Sequence, residues 1–465
     1  MPEVLHRSAP QRSLDALPLD QDRTWRRYAD DPRVFRLALA ATLLLPVALL
    51  YTRATGDALL SLVAILFLGR AAALRDWSWL RAPHVRLALV FWLWLVVCTL
   101  VMGTHRAIGE ALVAGRLFLF VAALENWVLA RQDRRRQFWL VILAVAAWIV
   151  LESWEQYALG TNIFGYTRWG SGVLTGPFSE PRAGGTLQAI YLPAFLPPAM
   201  YLLRGPGLPA RLAGALLLVI TMLTEAMIGQ RMPMLLLLLG LCLTGLLLRR
   251  LRWPVAIALL VLAATIAVAP VISPLTYDTL VIEFLHRMGD FWDTPYALLY
   301  QRAVVMVQTH PWVGLGFDGF RNNCADPRYF KPVAWLPVTH IDSPEGCSIH
   351  PHSYWLQIAT SAGLPGVALF AALCVAWLVR IGRGMLAAGS PIQVALFVTL
   401  CTALWPIAST TALFTVPNAG WVFLTIGWGL AEQFRTAIPA SEQAASAGAR
   451  SQGWAARFTA PFKGC

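Results

Sequence analysis

Three arginines and one histidine stand where long apolar runs give way to polar sequence: Arg182, Arg231, Arg302 and His352. A guanidinium group holds five N–H donors in one plane that match phosphate oxygens, so two or three arginines around a cavity could bind a pyrophosphate. A histidine at the mouth of such a cavity can accept or relay a proton near neutral pH. Together these residues could bind a pyrophosphate group and accept or relay a proton beside it.

Each of the four residues also has a simpler interpretation, as an anchor at the membrane interface. Arg231 lies in the tight turn of M-I-G-Q-R-M-P-M-L between two apolar runs, where a charge is expensive and tends to have a purpose. Arg182 lies beside two glycines, which let a ligand approach the backbone closely. His350 lies two residues before His352, so position alone does not separate the two histidines.

The composition predicts that lipid is the solvent for much of the chain. The 465 residues are 57% hydrophobic and 13% charged, whereas soluble domains carry about 25% charged residues. The net charge of +12 could suggest nucleic-acid binding. Nearly all of the basic side chains, however, are arginines in short connections between apolar runs. This pattern is typical of residues that anchor and orient transmembrane helices. We therefore expect membrane lipids and no nucleic acid as partners.

The apolar runs predict an all-α integral membrane bundle of about twelve transmembrane helices, since a helix needs about 20 apolar residues to cross the bilayer. The predicted spans lie at roughly 34–51, 58–74, 86–103, 107–130, 137–156, 186–204, 211–229, 232–249, 253–272, 353–380, 391–412 and 416–435. Every second connection is rich in arginine, which places both chain ends in the cytoplasm.

Five regions follow from this topology. They are a cytoplasmic tail (1–32), nine helices with an outer loop at 157–185 (33–272), a large outer loop (273–352), three helices (353–436) and a disordered cytoplasmic tail (437–465). The large loop contains two apolar-periodic stretches that predict amphipathic helices. The second of these opens at Thr294 and Pro295, which predict a helix start.

Neither a metal nor another cofactor is expected. The first outer loop offers Asp57 as its sole carboxylate, whereas a metal site needs several oxygen ligands. Cys324 and Cys347 both fall in the large loop, where they could form a disulfide or remain free thiols. Three charged residues of the fourth span are predicted to have a structural role: Glu110, Arg116 and Glu125.

Two sequence motifs carry a resemblance to a known family. One is H-S, nine residues and G-x-x-G, at His352, Ser353, Gly363 and Gly366. The other is H-P-x-x-G-x-G-x-x-x-F, at His310, Pro311, Gly314, Gly316 and Phe320, which follows Arg302. The motif at His310 lies within the predicted large outer loop, and the motif at His352 begins at the end of that loop. Together, in this chain order, the two motifs resemble the O-antigen ligase family. The chain departs from the family's pattern at Val305 or Val307, where relatives often have tryptophan.

The resemblance implies a membrane glycosyltransferase fold of the GT-C-like class with a lipid-linked donor. It implies His352 as the catalytic residue and Arg231 and Arg302 as pyrophosphate-binding residues, to which we add Arg182. The implied reaction transfers O-antigen from undecaprenyl pyrophosphate to the lipid A core, without metal and with inversion. It would take place at the periplasmic face of the bacterial inner membrane.

Two alternatives remain open on the sequence. An O-antigen polymerase or an O-linked oligosaccharyltransferase of the same superfamily would differ mainly in its acceptor. A transporter or flippase for lipid-linked oligosaccharide would also need many spans and buried arginines. Transporters often carry inverted repeats and polar sites at the membrane midplane, and the sequence shows no repeat.

Overall fold

The computed structural model describes residues 31–433, except 171, 339–340, 342–343, 345–346, 349 and 409–410. Within this part the chain is helical, and its β-structure is limited to two isolated bridges, Thr161 with Thr167 and Val333 with Leu336. The predicted C-terminal tail and all but the last two residues of the predicted N-terminal tail lie outside the described residues.

Helices occupy all twelve predicted span positions. We number the α-helices in chain order: α1 Pro32–Tyr51, α2 Arg53–Leu74, α3 Pro83–Met102, α4 His105–Ala123, α5 Gln132–Leu159, α6 Ala183–Arg204, α7 Leu208–Ile228, α8 Arg231–Leu247, α9 Arg252–Ile272, α10 Pro274–Tyr277, α11 Glu283–Gly289, α12 Pro295–Thr309, α13 Gly319–Asn323, α14 Tyr354–Gly382, α15 Met385–Ala388, α16 Pro391–Ala403 and α17 Asn418–Glu432. Nine helices of the described part are long and apolar enough to cross a membrane. The protein is therefore a multi-pass helical membrane protein, as predicted.

The helix α16 ends nine residues before its predicted boundary at 412. It stops at Ala403, three residues before Pro406, and proline disfavours helical backbone in the residue before it. Its 13 residues rise about 20 Å, less than the roughly 30 Å of the hydrocarbon core. In the connection to α17, the described residues Leu404, Pro406 and Leu413 form hydrogen bonds with the start of α14.

The segment predicted to be the large outer loop, called the large loop below, has a small hydrophobic core of its own. Both predicted amphipathic stretches are helical, and Thr294 caps α12 by accepting a hydrogen bond from the N–H of Ala297. The buried core residues are Leu299, Ala303, Val305, Met306, Leu315, Phe320, Cys324, Tyr329 and Val333. A disulfide joins Cys324 to Cys347, which decides between the two alternatives that the sequence left open.

The glycines of the two motifs bring their backbones into direct contact. Helix α14 is broken at Gly363, which has φ +66° and ψ −170°. The N–H of Leu364 donates to the carbonyl of Pro311 at 2.7 Å, and the N–H of Leu315 donates to the carbonyl of Thr360 at 2.8 Å. A Cβ added at Gly363 would lie 2.4 Å from the carbonyl oxygen of Trp312. The loop after α12 is thus fastened to α14 ten residues beyond Ser353.

The charged residues of the fourth span have partners on other helices or on their own. Glu125 accepts from His84 at 2.8 Å and from Arg380 at 3.3 Å. Arg116 pairs with Asp57, and Glu110 accepts from Arg106. These contacts agree with a structural role, because a buried charge is tolerated where it is paired.

Candidate functional site

The predicted site residues lie at one end of the helix bundle. Gln188, in the second turn of α6, donates to Thr402 near the C-terminal end of α16 at 3.1 Å. Just beyond that end, the carbonyls of Leu404 and Pro406 accept from Trp355 and from Ser353. The end of α16 therefore connects the start of α6, which follows Arg182, to the start of α14, which follows His352.

A glutamine bridge fixes the junction that carries Arg182. The side-chain amide of Gln230 donates to the carbonyl of Pro181, and its oxygen accepts from the N–H of Gly185 at 3.0 Å. Arg182 lies between these two anchor points and occupies the N-cap position of α6, while Arg231 follows Gln230 directly and begins α8. The bridge therefore holds the two arginines on adjoining segments of backbone.

Arg182 and Arg53 place two positive charges near each other at this junction. The guanidinium of Arg182 is half-buried and lies 5.9 Å from the ring centre of Phe178. Burial, followed by repulsion from Arg53, lowers the pKa of Arg182. An anion bound at the junction would relieve this repulsion, and the arginine fork matches phosphate oxygens. A phosphate- or pyrophosphate-binding role for this junction stays a prediction.

Arg231 is held by a carboxylate of the large loop. It forms an ion pair with Glu283 at the start of α11, and Glu283 also contacts Arg287 at 3.5 Å. The side chain of Arg231 is 17% exposed. A phosphate that binds to Arg231 must therefore displace the carboxylate of Glu283 or share the guanidinium with it. Binding at Arg231 would thus affect the contact between α8 and the amphipathic segment that carries Glu283.

His352 lies in a strained position at the foot of α14. Its φ is +47°, in the left-handed region that few residues other than glycine adopt, and such strain clusters at functional sites. Its ring centre lies 4.5 Å from that of His350 and 5.3 Å from that of Tyr296 on α12. The next residue, Ser353, caps the helix by accepting from the N–H of Leu356.

The two neighbouring histidines differ in environment. His350 is 7% exposed, and neither ring nitrogen has a hydrogen-bond partner among the described residues. Burial, followed by the proximity of His352, lowers the pKa of His350 to about 4. His350 is therefore uncharged at neutral pH, and the more exposed His352 is better placed to meet a substrate.

Arg302 lies inside the core of the large loop. It is 2% exposed, and its guanidinium lies 4.6 Å from the ring centre of Phe330 and 3.0 Å from the sulfur of Cys347. Of the three predicted pyrophosphate ligands, the structure places Arg182 and Arg231 at one junction and Arg302 in this separate core. A pyrophosphate-binding role for Arg302 stays a prediction.

Three polar residues of this region were not predicted from the sequence: Glu225, Gln230 and Glu283. Glu225 carried a signal, because a carboxyl group inside an apolar run is costly in lipid. The other two lie in polar turns and loops, where their residue types are ordinary. Among the described residues, no three histidine, cysteine, aspartate or glutamate side chains converge as metal ligands, and metal independence stays a prediction.

The carboxyl group of Asp318, which lies outside the membrane spans, gives a pH-dependent prediction. Burial, followed by the nearby Glu110, raises the pKa of Asp318 to about 6. The folded protein therefore holds a proton on Asp318 that the unfolded chain has lost, and stability should fall as pH rises from about 4 to about 6. Replacing Asp318 with asparagine, which tolerates its φ of +54°, should remove this loss, worth up to about 3 kcal/mol at neutral pH.

The measurement is thermal unfolding of the detergent-solubilised protein at pH 4 to 8. Asp318→Asn should unfold at a higher temperature than the parent at pH 7 and at a similar temperature at pH 4. Asp326 is the control, because a hydrogen bond from Arg328 lowers its pKa, whereas the pKa of Asp318 is raised. Asp326→Asn should therefore not raise the unfolding temperature at pH 7. Equal curves for Asp318→Asn and the parent would contradict the assignment.

A known protein family matches the central third of the chain, which contains most of the residues just described. A protein-family model described as O-Antigen ligase matches residues 214–371. The match runs from α7 into α14 and includes Arg231, Arg302, His352 and both motifs. No curated protein matches the chain.

Proposed function

We propose that the chain, a member of the O-antigen ligase family by its match over residues 214–371, transfers O-antigen polysaccharide from undecaprenyl pyrophosphate to the lipid A core. The members of this family are membrane enzymes of the glycosyltransferase kind. The proposed site lies at the end of the bundle where α6, α8 and α14 begin, facing the periplasm of the bacterial inner membrane.

The proposed reaction is a single displacement. Arg182 and Arg231 bind the donor's pyrophosphate and stabilise the charge that develops as its bond to the anomeric carbon breaks. His352 accepts the proton of the acceptor hydroxyl while that oxygen forms the new bond to the anomeric carbon. The configuration at that carbon is inverted, and undecaprenyl pyrophosphate leaves. No step in this scheme requires a metal ion.

One observation carries this proposal. The Gln230 bridge holds the backbone of Arg182 and Arg231 together, at the bundle end that also holds His352. Arg302 could join the pyrophosphate only after the loop core around it rearranges, because Phe330 and the disulfide enclose its guanidinium. It is therefore the weakest member of the proposed pyrophosphate site.

The alternatives differ in what they need from the site. A polymerase of the same superfamily would use the same donor groups with a second lipid-linked glycan as acceptor. A transporter places its substrate site near the midplane, between repeats. The proposed groups here lie at helix ends on one side of the bundle, which favours an enzyme.

The test mixes purified protein with undecaprenyl-pyrophosphate-linked glycan, lipid A core and a chelator. We expect glycan on the lipid A core, and a loss of about 100-fold in Arg231→Ala, since that variant removes a charged contact to the leaving group. Arg287→Ala is the matched control, because Arg287 also contacts Glu283 but is 60% exposed.

The products separate the alternatives. Longer glycan on the undecaprenyl carrier would identify a polymerase. No transfer, together with passage of the lipid-linked glycan across liposome membranes, would identify a transporter. A retained anomeric configuration would rule out the single displacement.

A further inference from the structure

Glu225 is the most unusual charged residue among the described helices. It lies in α7, one turn before the helix ends at Ile228, and its side chain is fully buried. Neither carboxyl oxygen has a hydrogen-bond partner among the described residues. A buried carboxyl group without partners costs free energy in a membrane protein, and such residues are usually functional.

The carboxyl group of Glu225 lies against the backbone that follows Arg182. A Cβ added at Gly184 would lie 2.6 Å from one Glu225 oxygen and 2.5 Å from the side-chain oxygen of Gln230. Both oxygens therefore lie against the position that a Cβ at Gly184 would take, and only glycine leaves room for both. That glutamine oxygen is the one that accepts from the N–H of Gly185 in the bridge.

The chemistry of this contact favours an uncharged acid. Two oxygens that only accept hydrogen bonds would repel each other in the space above Gly184. The acid form of a carboxyl group has an O–H to donate, and an amide oxygen has two lone pairs, so it can accept from Glu225 and from Gly185 together. Such a bond would also remove the cost of a buried ionised carboxylate.

We propose that Glu225 is a positioning residue of the donor site, which donates a hydrogen bond to Gln230 and so fixes the junction that carries Arg182 and Arg231. This inference rests on the proposed function, because it assumes that the junction binds the donor's pyrophosphate. Glu225 is too deeply buried to touch the donor. It acts through Gln230, and its loss should weaken donor binding more than it slows the chemical step.

Three variants of Glu225 and Gly184 test the inference. Glu225→Leu removes the hydrogen-bond donor but keeps a side chain of similar size. The KM for the lipid-linked substrate should then rise about tenfold with a smaller change in kcat, as expected when binding groups are misplaced. Glu225→Gln keeps a hydrogen-bond donor at this position, and its KM should stay within about threefold of the parental KM. Gly184→Ala displaces the same two oxygens from the other side and should resemble Glu225→Leu.

A glycine away from the proposed site supplies the control. A Cβ added at Gly69 in α2 would meet nothing within 4 Å, so Gly69→Ala should have the parental KM. Should Glu225→Leu fail to fold, the comparison of Gly184→Ala with Gly69→Ala still decides the question. A parental KM in both Glu225→Leu and Gly184→Ala, or a Glu225→Gln as defective as Glu225→Leu, overturns the inference.

Direct binding of undecaprenyl pyrophosphate separates this inference from the proposed function. A parent protein that binds the lipid but transfers no glycan would rule out the proposed function. The dissociation constants of the Glu225 variants would still decide the role of Glu225. A parent protein that does not bind the lipid overturns both.

Discussion

His352→Asn should reduce glycan transfer about 1000-fold while the fold and the binding of the donor persist, because general base catalysis contributes about 100- to 10,000-fold. Asparagine is the better replacement here, since it tolerates the left-handed backbone of this position, φ +47°, more readily than alanine does. It also removes the only group in the scheme that accepts the acceptor's proton.

The measurement is a single-turnover rate with saturating donor, together with the donor's dissociation constant. His350→Gln is the control, because His350 is buried beside His352 and is not expected to touch substrate. We expect its loss to stay below about tenfold, as for a packing neighbour rather than a proton acceptor. A rate for His352→Asn near the parental value, or a larger loss in His350→Gln, would move the proton acceptor away from His352.

Gly363→Ala should have the largest effect on stability, a loss of at least about 3 kcal/mol, because its backbone lies in a region that only glycine adopts readily. The added Cβ would also lie 2.4 Å from the carbonyl oxygen of Trp312. Either the break in α14 or the loop fastened to it must move, and both belong to the segment that positions His352.

Thermal unfolding in detergent measures this effect, and the transfer rate of any folded fraction shows whether the site is lost with it. Gly69→Ala is a matched control in α2, where an added Cβ would meet nothing within 4 Å. It should be neutral or stabilising by up to about 1 kcal/mol, since alanine favours helix over glycine. Equal unfolding temperatures for the parent and Gly363→Ala would show that the break in α14 is not required.

The sequence by itself determined the class of the protein and the places of its helices. Apolar runs of about 20 residues are a local property, and burial in lipid leaves the backbone little choice but helix. Helices accordingly occupy all twelve predicted positions. Where a boundary was wrong, as at the end of α16, the cause is the local effect of Pro406 on a run that is otherwise apolar.

The motifs indicated which residues matter without indicating why. Gly314 and Gly363 were known as motif positions 49 residues apart in the chain, and only the structure showed that each lies against the backbone of the other's segment. A Cβ at Gly314 would lie 2.7 Å from the backbone of α14. Glycine at such a contact is required by a neighbour that is distant in sequence, so no local pattern reveals the reason.

Tertiary structure alone decided the partners. The bond between Cys324 and Cys347, the pairing of Glu125 with His84 and Arg380, and the separation of Arg302 from the other two arginines depend on which helices pack together. The Gln230 bridge belongs to the same class, since it joins Pro181 and Gly185 to a residue 45 or more positions later. Hydrophobic periodicity specifies which face of a helix is buried but not which other helix packs against that face. The packing of the whole bundle decides this, and that packing brings polar residues from distant parts of the chain together into a site.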